Sequence, residues 1–110
     1  MSLQHAGLAQ GRWLHLTFVE QMANIGSEVE RSLNWRTKNN LPYAEKAFER
    51  ALELMDLTLG DARNLKRLRE LARVREAFAD FFLGSNQSGS TDVSWRKYFA
   101  CFTYAARKDR

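Results

Sequence analysis

The chain has 110 residues, which leaves room for one domain and not for two independent cores, since domains typically run to about 100 to 200 residues. Apolar residues make up 45% and include seven Phe, three Trp and three Tyr, which excludes a disordered chain poor in aromatics. A formal net charge of +4 attracts polyanions weakly and falls short of what a dedicated nucleic-acid binder carries.

One proline and six glycines leave long stretches free of breakers, favouring helices over a turn-rich β-sandwich. The longest uncharged apolar stretch falls far short of the roughly 20 residues that cross a bilayer, so no membrane association is expected. A basic region followed by an apolar h-region is also missing at the start, which argues against secretion. Cys101 is the single cysteine, which fits a reducing compartment, and the expected location is cytoplasmic. Residues 1–11 show no clear periodicity and are expected to be a flexible N-terminus.

From Arg12 to about Thr37, Leu14, Phe18, Met22, Ile25, Val29 and Leu33 recur every three or four positions, predicting a first helix over 12–37. Gly26 lies on its inner edge and costs about 1 kcal/mol relative to Ala, a cost that close helix contact would offset. Asn39 and Asn40 stop this helix, and Pro42 starts the second, over 42–58. There Ala44, Ala47, Phe48, Ala51, Leu52, Met55 and Leu59 form one side, with Glu45, Glu49 and Glu53 opposite. Gly60 ends the second helix and Asp61 caps a third over 62–83, expected to bury Leu65, Leu68, Leu71, Ala72, Phe78, Ala79 and Phe82. After a polar loop, Thr91 or Ser90 caps a fourth over 92–107, with Trp95, Tyr98, Phe99, Phe102, Ala105 and Ala106 inward. Four amphipathic segments joined by short links predict an all-α, antiparallel four-helix bundle in one domain, 12–110.

The first two helices carry a partial tetratricopeptide-like pattern in Ser32, Trp35, Asn39, Leu41, Ala44, Phe48 and Ala51, from which Glu28 and Arg31 depart. With no second copy, a local αα-hairpin is the better reading. More broadly, Asn24-Ile25-Gly26-Ser27-Glu28-Val29, the segment from Tyr43 to Leu57-Thr58, Arg75-Glu76 and Lys97-Tyr98-Phe99 resemble a group of small prokaryotic helical proteins of unknown function. The resemblance implies a helical fold and brings no activity with it.

Candidate functional residues are few. Lys66, Arg69 and Arg73 share one exposed stripe of the third helix and can neutralise a few phosphates, although a solvated basic face is the better reading. Arg75 sits seven residues from both Leu68 and Phe82, which puts its stem on the apolar side. Its head then pairs with a carboxylate such as Glu28, reaches the bundle edge, or receives an anion; the Arg75 and Glu28 pair is the expectation. Trp13 and Trp35 fall outside the central stripe of the first helix and Tyr104 lies opposite the core face of the fourth, marking an interaction surface or padding for a neighbouring helix. His5 and His15 lack the spacing of a metal site, and Cys101 reads as a small packed hydrophobe. With no catalytic constellation and no cofactor signature, the expected function is a non-catalytic module for protein interaction or assembly. It would bind itself, as a homo-oligomer, or another protein. The alternative is a weak RNA or DNA accessory protein using the basic face of the third helix and the Arg107, Lys108, Arg110 tail.

Overall fold

A computed structural model describes residues 8–108 and shows five α-helices and one 3-10 segment, with no strand among the described residues. The expected flexible N-terminus lies partly outside the described residues, and from Leu8 the chain is already helical. Helix α1 spans Leu8–Trp13 and α2 spans Phe18–Thr37, so the first predicted helix is in fact two. The break has a local cause. Thr17 forms a capping box with Glu20, its Oγ1 accepting from the Glu20 N–H at 3.2 Å while its own N–H donates to Glu20 Oε1 at 2.9 Å. The periodicity count ran across this cap, and Leu14, which it assigned to the core, lies in the turn and is exposed.

Asn39, in the left-handed conformation, turns the chain after α2, and the Asn40 side chain caps α3, Leu41–Leu59, with Pro42 in the first turn. Asp61 accepts from the Arg63 N–H at 3.0 Å, but the turn that follows is the 3-10 segment Ala62–Arg67. Helix α4, Leu68–Leu83, begins only at Leu68. The tighter 3-10 winding shifts the phase of the side chains, which leaves Leu65 and Ala72 exposed where the helical count had buried them. Thr91 and Ser94 cap one another reciprocally to open α5, Asp92–Lys108.

The core gathers the expected stripe of α2 (Met22, Ile25, Val29, Leu33) with Phe48, Ala51 and Met55 of α3, Leu71 and Phe78 of α4, and Trp95 and Phe99 of α5. Phe48 stacks on Phe82 with centroids 4.3 Å apart, and Phe78 meets Trp95 edge to face at 5.3 Å. Glu53, placed by spacing on the outer face of α3, is buried. The radius of gyration, 13.6 Å, matches the ~13 Å of a compact chain of this size. No described helix is long and apolar enough to cross a membrane.

Where α1, the start of α2 and the end of α3 converge, polar side chains replace apolar ones. The Trp13 indole Nε1 donates to Thr58 Oγ1 at 3.0 Å, and Gln21 Nε2 donates to Trp13 O and to Asp61 Oδ2. Asn64 Nδ2 donates to Gln21 Oε1 and to Thr58 O. Gln21, Thr58, Asp61 and Asn64 are all buried and all bonded, as burial of polar groups requires. Arg63 ties this cluster to the turn after α1 by donating to Leu16 O at 2.8 Å.

Candidate functional site

Helices α2 and α5 meet at one very close point. A Cβ added at Gly26 would lie 2.8 Å from Phe99 Cβ, nearer than real Cβ atoms come, so any side chain here must push Phe99 aside. The close helix contact expected at Gly26 is present. On either side of that contact the two helices leave an open groove of about 670 Å³. Trp95 and Phe99 form its apolar floor, the exposed Ser27 and Ala100 give it small walls, and Tyr104 stands on its rim, 69% exposed.

The charged side chains of the groove are three arginines, Arg31, Arg96 and Arg107, against one carboxylate, Glu30. Arg96 spans the groove mouth. Its Nε donates to both Glu30 oxygens at 3.0 and 3.1 Å, and its NH2 donates to Asn34 Oδ1 at 3.0 Å. Arg31 donates to Glu28, one turn away, but Glu28 also faces Arg50 at 3.8 Å. After local pairing, Arg107, at the far end, is the groove arginine left without a carboxylate partner among the described residues.

Comparison with protein-family models, with curated proteins and with solved structures finds no match to this chain. The site therefore rests on its own geometry.

Of the three aromatic residues expected at an interaction surface, only Tyr104 projects into solvent. Trp13 is buried and hydrogen-bonded to Thr58, because the cap at Thr17 folds α1 back onto the body. Trp35 is half-buried and packs edge to face against Tyr43 at 4.9 Å, bracing the α2–α3 turn. The expected pair of Arg75 and Glu28 does not form. Arg75 instead makes a two-pronged bond to Asp56, with Nε 2.6 Å from Oδ1 and NH2 3.2 Å from Oδ2, and is partly exposed. Both Arg75 and Glu28 reach side chains of α3, from α4 and α2 respectively, so neither meets the other. Lys66, Arg69 and Arg73 are exposed, but Lys66 lies on the 3-10 segment and only Arg69 and Arg73 share a helical face. Cys101 is exposed rather than packed.

Two titratable groups depart from their ordinary range. The Arg63 side chain, bonded to Asp61, holds that carboxyl far below its usual value against the opposing effect of burial, with help from the Arg63 N–H and Gln21. Burial, followed by the nearby charge of Glu70, pushes the Tyr98 hydroxyl up to about 12. Neither faces a cleft with a nucleophile, and no group of three His, Cys, Asp or Glu gathers as a metal site among the described residues. Sequence reasoning did not bring Arg31, Arg96 and Arg107 together. Their signal is their spacing on α2 and α5, which means nothing until the two helices are known to be neighbours.

Proposed function

We propose that this chain is a non-catalytic interaction module of the cytoplasm, in which α2 to α5 form an antiparallel four-helix bundle and the groove between α2 and α5 receives a partner. Support for the bundle comes from the order of side-chain pairs. Trp35 meets Tyr43 and Glu28 meets Arg50 between α2 and α3; Phe48 meets Phe82 and Asp56 meets Arg75 between α3 and α4. Phe78 meets Trp95 and Glu70 meets Tyr98 between α4 and α5, while Arg36 meets Asp92 and Phe18 meets Phe102 between α2 and α5. In every pairing one number rises as the other falls. Kinship with the small prokaryotic helical proteins that the sequence resembles belongs to the same proposal, with the α2–α3 hairpin only locally tetratricopeptide-like.

The observation that carries the interaction reading is the α2–α5 groove itself, a mostly apolar concavity with an exposed Tyr on its rim and no catalytic group in it. Self-association is assigned elsewhere. The end of the molecule formed by the α2–α3 turn and the α4–α5 loop exposes Leu41, Tyr43, Leu83 and Val93, a set suited to a second copy. The test of the groove is co-purification from the native host, comparing the wild-type chain with a Ser27→Arg, Ala100→Arg variant that fills the groove. The expected outcome is a partner recovered with the wild type and lost with the folded variant. Equal recovery with both, or none with either, would reject the reading.

The second reading, a nucleic-acid accessory protein, draws on Arg69 and Arg73, which are exposed one turn apart without a carboxylate partner among the described residues. It predicts retention on immobilised heparin that falls steeply with salt and disappears when Lys66, Arg69 and Arg73 are changed to Glu.

A further inference from the structure

We infer that the end of the molecule where the α1–α2 turn, the 3-10 segment and the last turn of α5 converge docks on an anionic lipid surface. Hydrogen bonds hold the first two together, since Arg63 donates to Leu16 O at 2.8 Å and Asn64 donates to Gln21 Oε1 at 3.1 Å. Phe18, the first residue of α2, meets Phe102 edge to face at 5.9 Å and lies 4.2 Å from the Arg67 guanidinium carbon. The turns of α5 that follow Phe102 therefore reach the same end, and Arg107 shares a small hollow with Ala23 and Asn24 of α2.

Charge is concentrated there. Six cations, Arg12, Arg63, Lys66, Arg67, Arg107 and Lys108, meet two carboxylates, Glu20 and Asp61, a surplus equal to the whole formal net charge of +4, so the rest of the chain is balanced. Asp61 is buried and bonded to Arg63, whereas the other five cations are exposed and make no ion pair among the described residues. Arg110, of the expected basic tail, lies outside the described residues. Two leucines stand among these charges: Leu14, 50% exposed, and Leu65, 66% exposed, each two residues from a partner in the Arg63 to Leu16 bond. Aliphatic side chains set among cations match a bilayer surface, whose headgroups take the charges while the leucines enter the acyl boundary to a depth of about 5 to 10 Å. Such attachment is peripheral and needs no spanning helix. A nucleic acid would use the cations, but the rings there, Phe18 and Phe102, are half-buried against each other and offer no stacking platform. A second copy docked end to end would oppose two cationic surfaces.

The test is flotation of the full chain with vesicles of phosphatidylcholine, alone or mixed with phosphatidylglycerol, at about 0.1 M salt, where screening acts over about 10 Å. Binding to the mixed vesicles is expected to be at least about tenfold tighter, since each cation near an anionic surface is worth about fivefold in affinity. Arg12→Glu with Lys66→Glu is expected to weaken it by at least about tenfold. Lys38→Glu with Lys46→Glu, the same change of charge at the α2–α3 turn, is expected to alter it by less than about threefold. Leu14→Ser with Leu65→Ser, both exposed and checked for an unchanged helical spectrum, is expected to weaken vesicle binding by about tenfold and to leave retention on immobilised heparin unchanged. No binding to the mixed vesicles, equal binding to both kinds, or equal losses from the two charge pairs would each overturn the assignment. Serine variants that bind vesicles as the wild type does would overturn it too, leaving the cations to a polyanion such as a nucleic acid. None of these results bears on the groove, which keeps its own co-purification test.

Discussion

On the side of α2 that faces α3, side chains interleave from one end to the other: Gln21 enters the polar cluster, Glu28 reaches Arg50, and Trp35 closes on Tyr43. On the side that faces α5, the two helices come very close at Gly26 and touch again at Phe18–Phe102 and Arg36–Asp92, and the surface between them carries a groove crossed by the Arg96 bridge. The first contact buries Gln21 and Glu28 completely or nearly so. The second carries an open groove whose floor rings, Trp95 and Phe99, are buried while Tyr104 stands exposed on its rim.

This contrast orders the expected effects. Phe48→Ala, which removes a buried ring stacked on Phe82, should cost about 3 to 5 kcal/mol in chemical denaturation, a large share of a total of roughly 5 to 15. Gly26→Ala should also destabilise, although alanine is the better helix former. Pushing Phe99 aside costs about 1 to 3 kcal/mol, against the roughly 1 kcal/mol gained in helix propensity. If Gly26→Ala proved stabilising, the close contact that separates the two sides of α2 would be wrong. Thr17→Ala should cost about 1 kcal/mol by removing the cap of α2, and should loosen α1 more than the rest in hydrogen exchange.

The polar cluster adds a pH signature to the closed side. Asp61 titrates lower in the folded chain than in the unfolded one, so its contribution is fully present above an unfolded value of about 4 and is lost as pH falls toward the folded value. Asp61→Asn should flatten the acid limb of the stability curve below about pH 4, whereas an unchanged limb would show that the Arg63 and Gln21 bonds do not hold in solution. At the open side effects should be small. Tyr104→Ala should alter stability by no more than about 0.5 kcal/mol, because the side chain is exposed.

How much of this could be read from the residues differs between the two sides. Met22, Ile25, Val29 and Leu33 return once per turn, so the inner face of α2 was plain, and Gly26 stood out as the residue that periodicity alone would not choose. Tyr104 was rightly placed away from the core. Periodicity failed where local hydrogen bonding interrupts the helical phase: the Thr17 cap turned Trp13 inward, and the 3-10 segment after Asp61 turned Leu65 outward. Burial of Glu28 and Glu53, and the choice of Asp56 by Arg75, depend on which helices are neighbours, and no spacing within one helix contains that information. The groove is the extreme case, since Arg31 and Arg107 belong to segments far apart in sequence and line one groove only through the tertiary fold.

A photocrosslinking residue placed at Ala100, inside the groove, and separately at Glu49, on the exposed face of α3, tests the central claim most directly. In the native host, the groove account predicts a discrete adduct with another protein from position 100 and none from position 49. Adducts of equal yield from both positions, or from position 49 alone, would contradict it.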